Sequence, residues 1–534
     1  MLKFCKKYIF RYKTEYAAYL TLGLLLCVVD TMLPTMLGQF INLFESDVTF
    51  KTLLGFIGVL AFLYVLKEIG NYFSKMVYIR LQTNSAFALN LEIVEHLKKL
   101  SPLVVGKNDS AYLSQRINND ANDILIFFIG SVTNLIFSAL STIIILVLIF
   151  VMDRKAFLIT LILLFLYLAV YVLFKRTIYR KSYDMKEESA GFFARLQEQL
   201  EKSEFIKIHG TNAFFVNKLV ESFNKLYNSI YRQQKTSQIF LNVEGIIGAI
   251  SLCILFLVGG IEIIKGNMQI GYFFVISSYF NMILEYGKSF VDYGREYQEA
   301  YVSYDRIESI LSIKEQPNGE MKIEDIDTIA VKNLKFAYNK IGVIDNLDIK
   351  LTKGNLYGLC GENGTGKSTF IKLILGLYIE DYQGEITYNG INIKDLNMDY
   401  IRQNLVGYTE QEPLLLADTV YNNMVLYREI EGKKILSAIN IFSINDIIKE
   451  SNWEHIINEK SSNISGGEKQ KIAIARQMVR DNSLMIFDEP TSALDVRSVE
   501  DFLELINLYK KDRIIIIISH DDRILKKCDV IVEF

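Results

Sequence analysis

Apolar residues crowd the first 290 positions of this chain, while the remainder alternates apolar and polar runs in the manner of a soluble α/β protein. Crossing a membrane takes about 20 mostly apolar residues. Six stretches qualify: about Tyr16 to Phe44, Leu53 to Phe73, Ile124 to Met152, Ala156 to Phe174, Val243 to Ile264 and Ile270 to Leu284. Only Asp153, Arg154 and Lys155 separate the third from the fourth, which predicts a tight helical hairpin. The run "IIILVLIFVM" (Ile143 to Met152) is rich in β-branched residues and in water would suggest a strand. A lone strand in lipid leaves its backbone groups unpaired, so helix is expected. The basic N-terminus lacks a cleavage site, and the apolar stretch after it is too long for a signal peptide.

Basic residues set the expected orientation. Lys3, Lys6, Lys7, Arg11 and Lys13 precede the first span, and Lys175, Arg176, Arg180 and Lys181 follow the fourth. Both termini and two long connections, about Ser74 to Asp123 and Lys175 to Asn242, are therefore expected in the cytosol. These connections are charged and helically spaced, so the spans should continue well beyond the bilayer. Each is broken by a turn-like patch, "SPLVVGKND" (Ser101 to Asp109) and "HGTN" (His209 to Asn212). Asp30, Lys67, Glu68, Glu244, Glu285 and Lys288 lie in or near spans. Intramembrane charge usually faces a cavity or a partner. Asp30 is the deepest and is expected to face a cavity. Glu68, Glu244 and Lys288 suit a polar boundary equally well.

After Glu315 the polar patch Gln316 to Lys322 opens a linker, so the expected layout is a membrane domain over 1–315, a linker over 316–328 and a nucleotide domain over 329–534. "IAVKNLKFAY" (Ile329 to Tyr338) alternates as a strand. "LYGLCGENGTGKSTFIKLILGL" (Leu356 to Leu377) reads as strand, glycine-rich loop and helix, and it satisfies G-x-x-x-x-G-K-[ST] at Gly361, Gly366, Lys367 and Ser368. Backbone N–H groups of such a loop curl around phosphate oxygens, and the helix N-terminus adds partial positive charge. Gly361, Glu362, Asn363, Gly364, Thr365, Gly366, Lys367, Ser368 and Thr369 are thus the expected ATP cradle, with Ser368 offering its hydroxyl to Mg²⁺. "SLMIFDEPTSALD" (Ser483 to Asp495) is a buried strand running into Asp488, a candidate metal ligand, and Glu489, placed to orient or deprotonate the attacking water. "RIIIIISHDDR" (Arg513 to Arg523) ends another buried strand at Ser519 and His520, where a doubly wound sheet makes ligand contacts.

Composition adds little beyond exclusions. A net charge of −3 gives no reason to expect nucleic acid. Five cysteines (Cys5, Cys27, Cys253, Cys360, Cys528) show neither metal nor disulfide spacing.

"NISGGEKQKIAIARQMVRD" (Asn463 to Asp481) resembles the signature motif and helix of ATP-binding cassette proteins. Together with the phosphate loop and the strand ending in Asp488 and Glu489, this makes the whole chain similar to exporter half-transporters of that family, such as peptide (bacteriocin), lipid and drug exporters. The implied fold is a membrane α-helical domain of six transmembrane helices fused to an α/β P-loop nucleotide-binding domain. The resemblance implies that Tyr338 stacks on adenine, and that Gln411 senses Mg²⁺. It also implies that Ser465, Gly466 and Gly467 meet the γ-phosphate held by the opposite subunit. Asp495 falls on the loop that crosses the dimer interface. Glu459 falls where the family keeps a glutamate facing the coupling helices, which would be the two turn-like patches near Ser101 to Ser110 and Gly210 to Phe214. Departures are Ile464 and Glu468 where leucine and glutamine are usual, and Asn458 and Ser461 where glycines are usual. The family continues past the His520 strand through a hairpin and a helix, which puts the C-terminal dimer contacts of this chain in question. No peptidase domain precedes the first span, so processing of cargo is not expected.

One chain carries one phosphate loop and one signature, so the resemblance implies two copies sandwiching two ATP molecules. The expected partners are a second half-transporter, most simply an identical one, the lipid bilayer and a transported substrate. The expected location is a bacterial plasma membrane, in line with abundant Ile, Lys and Asn. A peptide is the expected cargo. The alternatives are a lipid or drug, an importer of exporter shape, and a nucleotide-gated regulator that transports nothing; a soluble cassette ATPase is excluded by the spans.

Overall fold

The computed structural model describes residues 1–44, 49–105, 110–338, 341–441, 456–458 and 463–534. Two compact units emerge, one of Met1–His96 and Asp109–Ile313, the other of Leu97–Asn108 and Lys314–Phe534.

The first unit is helical. It comprises α1 (Leu2–Ile9), α2 (Lys13–Leu43), α3 (Phe50–Lys98), α5 (Ser110–Leu125), α6 (Val132–Met152), α7 (Arg154–Glu201), α8 (Ser203–Ile208), α9 (Asn212–Ile264) and α10 (Ile270–Leu311); α4 (Pro102–Val105) belongs to the second unit. Four helical stretches among the described residues, Leu2–Leu43, Phe50–Lys98, Ile117–Met152 and Asn212–Ile264, are long and apolar enough to cross a membrane. The other two expected spans lie on α7 and α10, which run 48 and 42 residues. Their apolar flanks, such as Leu173 and Ile270, are exposed, as lipid-facing side chains must be.

The helical hairpin is tighter than its three charged residues suggest. Asp153 alone intervenes, because its carboxylate accepts from the backbone N–H of Lys155 (2.6 Å) and Ala156 (3.1 Å) and so caps α7 immediately. Elsewhere, polar backbone is satisfied across helices. Pro34 inside α2 disturbs the helical bonding of the preceding turn, and the Tyr279 hydroxyl of α10 donates to the Thr31 carbonyl at 2.6 Å. Asn42 of α2 accepts from the Gly271 N–H at 2.6 Å, supplying a cap that α10 lacks locally. The helices cross where Gly38 meets Gly271: a Cβ on Gly271 would stand 2.0 Å from the Gly38 carbonyl oxygen. A six-residue π-helical segment, Ile126–Ser131, joins α5 to α6, and Phe127 within it packs on Tyr293 and Tyr297.

Asp30 meets an opposite charge on another helix. Its carboxylate is 2.7 Å from the Lys67 ammonium of α3, so the two charges neutralise one another. Glu68 and Glu285 are exposed and Glu244 is buried; the side chain of Lys288 lies outside the described residues.

In the second unit a parallel sheet has the order β6-β7-β8-β3-β9, with β3 (Leu356–Cys360), β6 (Val406–Thr409), β7 (Leu484–Asp488), β8 (Ile514–Ile518) and β9 (Val530–Glu533). β7 and β8 are wholly buried, as strands covered on both faces must be. Five consecutive isoleucines in β8 satisfy this, each contributing roughly 1.5–3 kcal/mol by burial. An antiparallel sheet of order β2-β1-β4-β5 flanks it, from β1 (Thr328–Tyr338), β2 (Ile341–Thr352), β4 (Tyr382–Tyr388) and β5 (Ile391–Asn392).

Two connecting segments are fastened to this unit. Gln316 donates through its backbone to the Lys99 carbonyl (2.9 Å) and through its side chain to the Leu377 carbonyl (2.9 Å), and Met321 bridges to Leu396. The expected linker residues are thus bonded to the nucleotide half rather than free. The first turn-like patch also packs there, with Leu103 of α4 against the unit's core and Ser101 3.4 Å from Asp381. Its Gly106 to Asp109 portion, and Glu459 and Ser461, lie outside the described residues. The second patch is the turn after α8, where Gly210 adopts φ +63° and α9 begins at Asn212.

Candidate functional site

The C-terminal ends of β3, β7 and β8 converge, and the residues singled out for phosphate chemistry gather there. β3 ends at Cys360, and the helix Lys367–Ile374 begins six residues after Gly361. The loop between them needs left-handed backbone. Gly366 has φ +104°, and a Cβ there would come within 3.0 Å of Val343 and 3.1 Å of Ile344. Lys367 is buried, its ammonium donating to the carbonyls of Gly361 (2.6 Å) and Glu362 (2.9 Å). Thr365 donates to the Glu362 carbonyl at 2.9 Å. Asn363, Gly364 and Ser368 are exposed, as the rim of a phosphate cradle requires, while Thr369 is buried beneath them.

β7 delivers Asp488 to this loop. Its carboxylate accepts from the Ser368 hydroxyl at 3.1 Å. Burial pushes the Asp488 carboxyl above the usual range, and the Glu489 charge adds to this while the Ser368 hydrogen bond opposes it. A desolvated carboxylate beside a hydroxyl is a hard-oxygen donor pair, which fits a small hard cation such as Mg²⁺. Among the described residues no group of three or more His, Cys, Asp or Glu side chains is arranged to hold a metal, so a cation here would complete its shell from phosphate oxygens and water.

Glu489 adopts φ +46°, a conformation costly for a side-chain-bearing residue and characteristic of functional sites. Its surroundings hold it there. Its N–H donates to the Ile518 carbonyl at the end of β8 (2.9 Å), and its own carbonyl accepts from the buried Gln470 side chain (3.1 Å). The carboxylate accepts from Gln411 at 3.0 Å, and His520 Nε2 lies 3.9 Å away. Gln411, Asp488, Glu489, His520 and Ser368 thus form one cluster. Tyr338 stands at the end of β1, half-buried, with its hydroxyl 3.5 Å from Thr369 and its ring edge-on to Phe336 and Tyr378.

Ser465, Gly466, Gly467 and Asp495 form a second cluster. Ser465 caps the helix Gly466–Met478, and Glu468 reaches back to the Ser465 N–H (2.7 Å), a reciprocal capping box. Asp495 caps the helix Val496–Tyr509 and lies 3.5 Å from Lys471. Hydrogen bonds from the Ser498 N–H and hydroxyl hold the Asp495 carboxyl down at about 2. Ser465 and Gly466 are exposed. Among the described residues no hydrogen bond or ion pair joins them to the loop from Gly361 to Ser368.

Sequence reasoning missed Gln470 and Arg476. Arg476 donates to the carbonyls of Asn423 (2.8 Å) and Leu414 (3.1 Å), tying the signature helix to the segment following Gln411. Gln470 is buried and Arg476 half-buried on the same helix. Gln470 shares its helix face with Ala473 and Ile474, which was the available signal; the spacing offered none for Arg476.

The structure also yields a pH-dependent prediction. Because the Asp488 pKa is raised, the native state is penalised as pH rises through it. Asp488→Asn is therefore expected to raise the melting temperature of the nucleotide-free protein at pH 7, by a margin that shrinks in acid, while abolishing hydrolysis. Calorimetry at two pH values checks the sign; an unchanged or lowered midpoint at pH 7 contradicts it.

The profile of the ABC transporter transmembrane region matches residues 16–286, and that of the ABC transporter ATP-binding region, described as "ABC transporter", matches residues 344–492. The chain is similar to the lactococcin-G-processing and transport ATP-binding protein LagD of Lactococcus lactis subsp. lactis, at 26% identity over 89% of this chain and 68% of that one. It is equally similar to an ATP-dependent lipid A-core flippase of Haemophilus influenzae, at 26% identity over 89% and 83%. The transport/processing ATP-binding protein ComA of Streptococcus pneumoniae matches at 24% over 95% and 72%. A solved bacterial Atm1-family ABC exporter with ATP bound superposes with a TM-score of 0.83 over 98% of this chain and 93% of its own, at 17% identity.

Proposed function

Since this chain belongs to the ABC transporter family and is of the exporter type, we propose that two identical copies act together in a bacterial plasma membrane, each ATP gripped by one copy and covered by the other. The chain is membrane-embedded, binds and hydrolyses ATP, and exports a substrate. The domain division of 1–315, 316–328 and 329–534, the cytosolic placement of both termini and the roles that follow belong to this reading.

The observation that carries it is the cluster at the strand ends: Ser368, Asp488, Glu489, Gln411 and His520 within linked contact distances of one another. Lys367, now folded onto two carbonyls, has the reach and charge to swing onto the outer phosphates. Tyr338 offers its aromatic face to adenine. Glu489 takes the proton of the attacking water, oriented by Gln411, while His520 meets the γ-phosphate. Ser368, Gln411 and Asp488 would hold Mg²⁺, which would neutralise charge on the phosphate oxygens. Exposed Ser465 and Gly466, with half-buried Gly467 beside them at a capped helix N-terminus, suit the γ-phosphate of the partner's ATP, with Asp495 at the seam.

Coupling to the membrane runs through the two turn-like patches. Around the second, Phe205, Ile208 and Phe214 are exposed large apolar side chains clustered at a helical tip. Such a patch calls for a partner surface, here the other copy's nucleotide unit. ATP closes the pair because it binds the closed state better.

The likeness to the lactococcin-G transporter favours a peptide cargo; the likeness to the lipid A-core flippase supports lipid as the second reading. Reconstitution into liposomes tests the function. ATP-dependent movement of cargo away from the nucleotide-domain side supports export. Uptake toward that side, or ATP hydrolysis without any vectorial movement, contradicts it.

A further inference from the structure

Glu489 has to be held in place from outside. Its φ of +46° is costly for any residue but glycine. Pro490 comes next, and a proline presses the residue before it toward extended backbone. Two peptide planes flank Glu489, and each is fastened. The N–H on one side donates to the Ile518 carbonyl of β8 at 2.9 Å. The carbonyl on the other side accepts from the Ser492 N–H at 3.3 Å and from the Gln470 side-chain amide at 3.1 Å. Ser492 belongs to the same turn and moves with it. Among the described residues, Gln470 alone reaches this carbonyl from another element, the helix Gly466–Met478.

Gln470 is 1% exposed. A buried amide has no water to turn to, so it stays on the acceptor it has found. A hydrogen bond in so dry a place is electrostatically strong. Two further contacts bind the same helix start to the turn after Glu489. Gly467 lies so near Ala493 that a Cβ there would stand 2.8 Å from the Ala493 carbonyl oxygen. Lys471 lies 3.5 Å from Asp495. The helix start thus grips the turn along its length. The backbone on both sides of a Cα fixes where its side chain points. Releasing the Glu489 carbonyl would therefore swing the carboxylate off Gln411, which donates to it at 3.0 Å.

We infer, resting on the reading of Glu489 as the base, that Gln470 is its positioning residue: it holds the Glu489 carbonyl and thereby aims the carboxylate. The tip of the helix that carries Gln470 is the surface proposed to meet the partner's ATP. Each chain's signature helix accordingly sets the base at that chain's own ATP.

The test uses full-length protein in nanodiscs. Gln470→Met keeps length and burial but removes the donor. Its kcat should fall about 10–100-fold, the effect of misplacing a reacting group by an ångström or so. Its affinity for a fluorescent ATP analogue should stay within about twofold of native, which also shows that the site is folded. Gln470→Glu keeps the shape but exchanges donor for acceptor, and should be at least as slow. A double-mutant cycle then separates aiming from packing. In Glu489→Gln protein the base is already gone, so adding Gln470→Met should leave the residual single-turnover rate within about twofold. An equal fold-loss in both backgrounds means that Gln470 acts independently of Glu489, and overturns the assignment. Loss of ATP affinity in step with kcat overturns it as well. Native turnover in Glu489→Gln alone sinks the base reading beneath, whereas a slow Glu489→Gln beside a native-rate Gln470→Met sinks this inference alone.

Discussion

Replacing Glu489 with glutamine is expected to slow ATP turnover by about 10²–10⁴-fold, the usual contribution of a positioned general base, while leaving ATP affinity within a few-fold of the native protein. The substitution keeps size and shape. Glu489 sits at φ +46°, pinned through its own N–H to Ile518 and through its carbonyl to Gln470. Those are backbone contacts, so a new side chain does not release them. What is lost is the capacity to accept a proton beside Gln411 and His520. Because ATP would still bind and close the pair, the variant should accumulate in the nucleotide-bound state. Turnover near the native rate would show that Glu489 is not the base; loss of ATP binding would show that it supports the loop instead.

Lys367→Ala should act one step earlier and weaken ATP binding by about 10–100-fold, which is what one or two charge-assisted hydrogen bonds are worth. This ammonium stitches Gly361 to Glu362 through their carbonyls. Lys367 is therefore expected to have two duties, bracing the loop through those carbonyls and seizing phosphate. Lys367→Arg separates them. Its longer planar head retains charge but fits the buried pocket poorly, so it should bind ATP better than the alanine variant and worse than lysine. Equilibrium binding of a fluorescent ATP analogue measures both, and native affinity in Lys367→Ala contradicts the phosphate role.

Local chemistry made the phosphate site legible in the sequence. The strand before Gly361, the helix starting at Lys367, and the buried runs ending at Asp488 and before His520 depend on neighbours in sequence, and the fold reproduces them. The hidden features are non-local. Nothing near Asp30 reveals that Lys67, on another helix, lies 2.7 Å away. Gln470 is an ordinary polar helix residue until the fold turns it onto the Glu489 carbonyl. The attachment of residues 97–105 to the nucleotide half depends on Gln316 meeting Lys99, over two hundred positions apart in the chain. The continuation of α3, α7 and α9 beyond their apolar spans was readable from helical spacing, whereas the Asn42 contact with the Gly271 N–H appears only once α2 and α10 are assembled.

The account turns on ATP being enclosed by two copies, and mixing two crippled versions tests that most directly. Lys367→Ala spoils one copy's phosphate grip, and Gly466→Asp plants a negative charge where the signature would meet phosphate. Homodimers of either should be inactive. In purified mixed dimers, a site shared between copies leaves one enclosure with both partners intact, so ATP hydrolysis should return to a measurable fraction of the native rate. Had each copy built its site from its own loop and signature, every site in the mixture would carry a defect, and hydrolysis would stay at the level of the inactive homodimers.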